Sequence, residues 1–155
     1  MLDVRMVCNE EQYRPTYAHV TDACMDLKIK IESDENGGNR ERITFIQPGK
    51  MKVFKTGLQV AIPKGFAMLV FPRSSTGFKF TCMLINNVAV IDEDFRDEIQ
   101  LGIINLGDTS ICFKDAQRVA QFMIIPKSYI NPIWVQDDEE FRKCDRGGGI
   151  GSTGE

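Results

Sequence analysis

Asp92, Glu93 and Asp94, with Phe95 beside them, follow a short apolar run from Val88 to Ile91. Val88, Val90 and Ile91 are β-branched, so the run reads as a strand and the carboxylates fall where it ends. An acid at a strand end next to a flat apolar ring suits activation of a water beside a bound sugar or base. The bland alternative is a polar surface hairpin, because charge clusters are usually solvated. A second candidate is Pro72-Arg73-Ser74-Ser75-Thr76-Gly77, after the apolar run Met68 to Phe71. A guanidinium, hydroxyls and backbone N–H groups at a strand end suit phosphate oxygens. A third, Gln117-Arg118-Val119-Ala120-Gln121, reads on its own as an ordinary strand with polar outward faces.

The elements that must position these groups are short strands. Strand signals cover residues 27–31, 42–46, 52–60, 66–71, 78–84, 88–91, 98–105, 110–113, 116–125 and 133–135. Turn residues such as Pro48-Gly49, Pro63-Lys64-Gly65, Asn86-Asn87 and Gly107-Asp108 separate most of them. A short helix after Pro72 or around residues 80–84 is the one exception to an all-β pattern. Many short strands with regular turns predict a jelly-roll-like barrel or sandwich. Residues 32–41 read as a solvated loop, and the acidic run 137–140 as a solvated turn rather than a metal site. Residues 1–145 read as one β domain, and 146–155 as a flexible arm in which five of the residues are Gly, with Ser, Thr and one apolar residue. Such an arm is either disordered or orders over a ligand through its N–H groups and hydroxyls.

Composition narrows the classes. With 155 residues, 43% hydrophobic and 26% charged, the chain has the makeup of a single soluble globular domain. A net charge of −3 gives no basic footprint for duplex nucleic acid. Five cysteines without a CxxC pair, and His19 as the sole histidine, argue against zinc. The odd cysteine count and the lack of an apolar leader predict reduced thiols in a cytoplasmic setting. No apolar run approaches the length of a membrane span.

Set in order, these pieces resemble the trimeric dUTP pyrophosphatases. The family's motifs match Ala23-Cys24-Met25-Asp26-Leu27, then Pro72-Arg73-Ser74-Ser75, then Asn86 to Glu98, then Arg118-Val119-Ala120-Gln121, and finally Arg146 to Gly154. Thr56-Gly57-Leu58 and Ile62-Pro63-Lys64-Gly65 also stand in family-like places. The chain departs from the family pattern in several places. Cys24 replaces a usual Gly, Phe95 a usual Tyr, and Ala89 and Asp97 usual glycines. The last motif is a residue short, with Ile150 where an aromatic ring usually caps the uracil.

The resemblance implies hydrolysis of dUTP to dUMP and pyrophosphate with Mg²⁺, serving nucleotide-pool sanitation and dUMP supply for dTMP synthesis. It implies that Asp92 activates the water attacking the α-phosphorus. Arg73, Ser74, Ser75, Gln121, Arg146, Gly151, Ser152 and Thr153 would hold phosphates. Asn86, Val90, Ile91, Phe95 and Gln100 would bind uracil and deoxyribose, with a hairpin choosing the base and Phe95 leaving no room for a 2′-hydroxyl. Asp26 would order water around the metal or support the fold. It further implies a homotrimer whose arm, 146–155, closes over a neighbouring subunit's site.

Two rivals remain. A dCTP deaminase of the same fold needs a proton-shuttling glutamate two residues before the Asn that ends the long strand, but Ile103 stands there, before Asn105. Phage members of the family also act as regulators that bind protein partners, a role that sequence leaves open.

Overall fold

The computed structural model describes residues 2–32, 42–136 and 139–143. The chain enters through β1 (Arg5–Val7), a 3₁₀ turn at Glu11–Tyr13, and β2 (Met25–Lys28). Next come β3 (Ile43–Ile46), β4 (Met51–Lys55), β5 (Gln59–Ala61) and β6 (Phe66–Pro72), then the one-turn helix α1 (Ser74–Phe78). The rest is β7 (Cys82–Leu84), β8 (Ala89–Ile91), β9 (Gln100–Asn105), β10 (Ile111–Lys114), β11 (Arg118–Pro126) and a short α2 (Glu139–Arg142). This is the all-β architecture that the strand signals predict.

Every ladder among the described strands is antiparallel. The main sheet has the order β2-β11-β6-β8, and a second has the order β4-β9-β7. The pairs β1-β5 and β10-β3 complete the wrap. In β9, Leu101, Ile103 and Asn105 point inward and are buried, the period-two pattern of a strand with one face on the core. Leu27, Met68, Val70, Leu84, Ile103, Phe113 and Phe122 meet in one apolar core fed by both larger sheets. The amide of buried Asn105 donates to Ile46 O at 2.9 Å and Thr109 O at 2.8 Å, so it closes a loop without leaving a polar group unpaired.

The N-terminal segment is anchored by Tyr13, fully buried, whose hydroxyl donates to both Asp115 oxygens at 2.9 and 2.8 Å. Its ring packs on Gly57, whose φ of +70° places it in the left-handed region. That glycine splits the expected strand at 52–60 into β4 and β5. β1 went unpredicted because three residues carry too little periodicity to register. Residues 133–135, expected as a strand, have no ladder partner among the described residues, and Ile133, Trp134 and Val135 are exposed. Their composition favours a strand, but no described strand of the same chain stands beside them to complete one.

The outer face of the β4-β9-β7 sheet is apolar. Met51 and Val53 of β4 and Ile85 beyond β7 are exposed there, flanked by half-buried Met83 and Ile104. Gly102 lies on the same face, so close to Ile85 that an added Cβ would meet Ile85 Cγ2 at 2.8 Å. No helix among the described residues is long and apolar enough to cross a membrane.

Candidate active site

The phosphate candidates converge at the end of the main sheet. Gln121 of β11 faces Asp26 of β2 on one side and Phe71 of β6 on the other. Cross-strand neighbours on one face of a sheet come within contact range, so this register puts Asp26, Gln121 and the end of β6 in a row. Beyond Pro72, Arg73 keeps an extended backbone (φ −74°, ψ 152°), and the chain then turns into α1. Its guanidinium Nε lies 2.6 Å from Asp26 Oδ1. Arg118 reaches the other oxygen, Nη1 to Oδ2 at 3.0 Å, from a register shift in β11.

Asp26 is 5% exposed, and each of its oxygens is taken by a guanidinium. Two cations around one anion leave a net positive charge at the sheet end. Gln121 Nε2 donates weakly to Pro72 O at 3.4 Å, and Ser74 is exposed at the start of α1. Thr76 and Gly77 donate their N–H groups to Arg73 O, which leaves the first-turn amides of Ser74 and Ser75 for a ligand. Buried Thr76 ties the helix back to the sheet, its hydroxyl donating to Val119 O at 2.6 Å. Guanidinium, amide and hydroxyl donors on a rigid sheet end have the chemistry to seat an anion. Of the expected residues, Arg73, Ser74, Ser75 and Gln121 are brought together here. Arg118 belongs with them: its place in the fourth motif was visible, but its pairing with Asp26 required the β2-β11 register.

The Asp92 region is built separately. Asn86 and Asn87 form a tight turn in which the Asn87 N–H donates to Leu84 O at 3.0 Å. Asn87 has φ +54°, a conformation Asn tolerates better than most residues. The turn does not join a paired hairpin as expected. β7 pairs with β9 and β8 with β6, so the chain crosses here from one sheet to the other. Within β8, Ala89 faces the core and Val90 is exposed. A Gly at position 89 would leave a hole where the methyl group now packs.

Asp92 follows as an exposed residue in a turn closed by the Phe95 N–H donating to Asp92 O at 3.2 Å. Arg96 Nη1 donates to Glu93 O at 2.6 Å and Phe95 O at 2.8 Å. Phe95 is 36% exposed, leaving ring surface available. Gln100 is exposed at the start of β9, opposite Lys55. The Glu93 carboxylate is held below the usual carboxylate range, first by a hydrogen bond from the Gly65 N–H and then by Lys127.

The two halves do not meet within one chain. Ile91 faces Met68, and Arg73 lies five residues beyond Met68, just past the end of β6. At about 3.3 Å per residue, Asp92 and Arg73 are separated by roughly 20 Å. Arg146, Gly151, Ser152 and Thr153 lie outside the described residues.

A family model described as dUTPase matches residues 39–154. A deoxyuridine 5′-triphosphate nucleotidohydrolase of Desulfitobacterium hafniense is 35% identical over 143 residues, covering 90% of this chain and 86% of the relative. One from Burkholderia cenocepacia is 32% identical, covering 99% of this chain and 95% of the relative. Among solved structures, a dUTPase from Streptococcus mutans superposes with a TM-score of 0.69 at 24% identity, covering 83% of this chain and 98% of that one. A Staphylococcus bacteriophage 80alpha dUTPase bound to dUPNHPP superposes with a TM-score of 0.79 at 21% identity over 100% of both chains. Likeness at that identity speaks for the fold, while the two curated relatives and the family model carry the assignment: the chain belongs to the dUTPase family.

Proposed function

We infer that this protein hydrolyses dUTP to dUMP and pyrophosphate in sites completed between the subunits of a homotrimer. The observation that carries the reading is the separation of Asp92 from the anion seat around Arg73. A base cannot act on phosphates held the length of a sheet away, so a neighbouring copy has to supply one half. The exposed apolar face of Met51, Val53 and Ile85 offers such copies a surface to bury. Closed cyclic symmetry then repeats the same junction at every subunit boundary.

In the assembled site, Arg73, Ser74, the Ser75 N–H and Gln121 of one chain hold phosphate oxygens by charge-assisted hydrogen bonds. Asp92 of another chain orients a water and takes its proton as it attacks the α-phosphorus. Asn86 and the backbone of Val90 and Ile91 pair with the uracil edge, and a wrong base leaves these polar groups unpaired. Phe95 lies against the deoxyribose and excludes a 2′-hydroxyl, with Gln100 at the rim. Arg146, Gly151, Ser152 and Thr153 of the C-terminal arm close on the outer phosphates.

The family implies a divalent cation, which we assign as magnesium. Among the described residues no group of three or more His, Cys, Asp or Glu could hold one. The donors at the anion seat are cationic or neutral, and such a set fits an ion carried in on the triphosphate with its own waters. When bound, that ion supplies neutralisation of the phosphate charge. Asp26 has both oxygens committed to Arg73 and Arg118, which favours the supporting role over direct ligation.

The deaminase reading finds no support at Ile103, which is fully buried in the core. Product analysis across the common nucleoside and deoxynucleoside triphosphates tests the function. Pyrophosphate released selectively from dUTP is the expected outcome. Ammonia from dCTP, or no turnover of any nucleotide, would overturn it.

A further inference from the structure

Glu93 ties together three segments beside Asp92. Its Oε2 accepts a hydrogen bond from the Gly65 N–H in the turn between β5 and β6. Lys127, just past β11, places Nζ 3.3 Å from that oxygen. Tyr129 donates its hydroxyl to the other oxygen at 3.2 Å. Lys127 is held in turn, its N–H donating to Gly65 O at 2.9 Å and its ammonium lying 5.0 Å from the centre of the Tyr129 ring. Gly65 has φ +83°, a conformation that most side chains would strain, so its N–H is aimed by a backbone shape suited to glycine. The side chains of Glu93 and Lys127 are 23% and 25% exposed, well covered for a surface pair.

The Asp92 side chain, by contrast, makes no hydrogen bond or ion pair to a described residue. Its direction is set by the backbone of its turn. That turn has the Phe95 N–H bond and the Arg96 contacts to brace it internally, the β8–β6 ladder at Ile91 holds its start, and the Glu93 carboxylate is its side-chain tie to the Gly65 turn and the chain leaving β11. A base held by its backbone alone depends on whatever fixes that backbone, since a misplacement of about 1 Å can cost roughly a hundredfold in rate.

We propose that Glu93 is a positioning residue for Asp92, clamping the Asp92 turn to the Gly65 turn and to the chain leaving β11. The proposal rests on the reading of Asp92 as the general base. Glu93 itself touches neither substrate nor the attacking water, and its effect passes through Asp92.

The test uses the full-length protein with Glu93→Ala, Glu93→Gln, Tyr129→Phe, Asp92→Asn and the Asp92→Asn/Glu93→Ala pair. Glu93→Ala should lower kcat for dUTP about tenfold with KM nearly unchanged, as expected for a misplaced rather than a missing base. Glu93→Gln keeps an acceptor for the Gly65 N–H and should recover part of that loss, and Tyr129→Phe should cost least. In the Asp92→Asn background Glu93→Ala should cost nothing further. An unchanged kcat in Glu93→Ala, beside an active wild type and an impaired Asp92→Asn, would overturn the proposal and leave the function standing. An equal loss in the Asp92→Asn background would also overturn it, because Glu93 would then act on the fold at large. Amide hydrogen exchange gives a readout independent of turnover. Residues 92–96 should exchange faster in Glu93→Ala, and unchanged protection there would refute the clamp even if the substrate were a different nucleotide.

Discussion

Asp92 and Arg73 sit at opposite ends of the paired strands β8 and β6. Ile91 stands across from Met68; from that pair β8 runs out to Asp92 one way, while β6 runs through Val70 and Pro72 to Arg73 the other. Both groups are individually suited to phosphoanhydride hydrolysis, one as a base and one as an anion ligand. Their spacing is the reason for the proposal that each chain supplies half of a site completed by a neighbouring copy.

Asp92→Asn should leave thermal stability within about 1 kcal/mol of wild type, because the exposed side chain has no described partner to lose. The same change should lower kcat about a hundredfold or more, the usual loss for a general base. Steady-state kinetics beside a melting curve checks both halves. Near wild-type turnover would pass the role to Asp94.

Phe95→Ala should raise KM for dUTP and narrow its advantage over UTP. The ring is partly exposed in the single chain, with apolar surface free to lie on a sugar. The ratio of kcat/KM for the two nucleotides is the measurement. An unchanged ratio would make Phe95 a packing residue of the turn.

Asp26→Asn should destabilise the fold by about 1–3 kcal/mol, between the values for exposed and buried ion pairs, because two guanidiniums lose their shared anion. It should also raise KM, since Arg73 is no longer steered toward the phosphates. Urea unfolding and dUTP titration test this. A lower KM would mean that Asp26 competes with the substrate for the arginines.

Glu93 also gives a pH signature. Its carboxyl is held below the ordinary value by the Gly65 N–H and by Lys127. A depressed folded pKa contributes stability that is full above the unfolded value near about 4.3 and is lost as pH falls through the folded one. The Tm gap between wild type and Glu93→Gln should therefore be widest near neutral pH and shrink as the pH falls below about 4.3. A gap independent of pH would show that the carboxylate charge is not what stabilises the turn.

Much of this was legible in the residues. Short strand signals, the turn residues between them and the order of the motifs foretold an all-β fold. Three things were not legible. The Asp26–Arg73–Arg118 cluster depends on which strands neighbour one another, and local propensity does not encode pairing. The Asn86 turn looks like a hairpin because its residues suit a tight turn, yet β7 and β8 each pair with another strand. Glu93 reads as one more acid in a solvated run, and its partners Gly65, Lys127 and Tyr129 lie far off in sequence. The expected strand at 133–135 is a separate miss: its residues have strand composition but no ladder partner among the described residues.

Mixing two crippled chains tests the shared site most directly. Arg73→Gln removes the anion seat and Asp92→Asn the base, so each homotrimer should be nearly inactive. After dissociation and reassembly of an equal mixture, random assortment leaves about one junction in four with an intact Arg73 on one side and an intact Asp92 on the other. The shared-site account predicts recovery to about a quarter of wild-type activity. If mass measurement finds mixed trimers but they are no more active than either parent, Arg73 and Asp92 do not work across a subunit boundary.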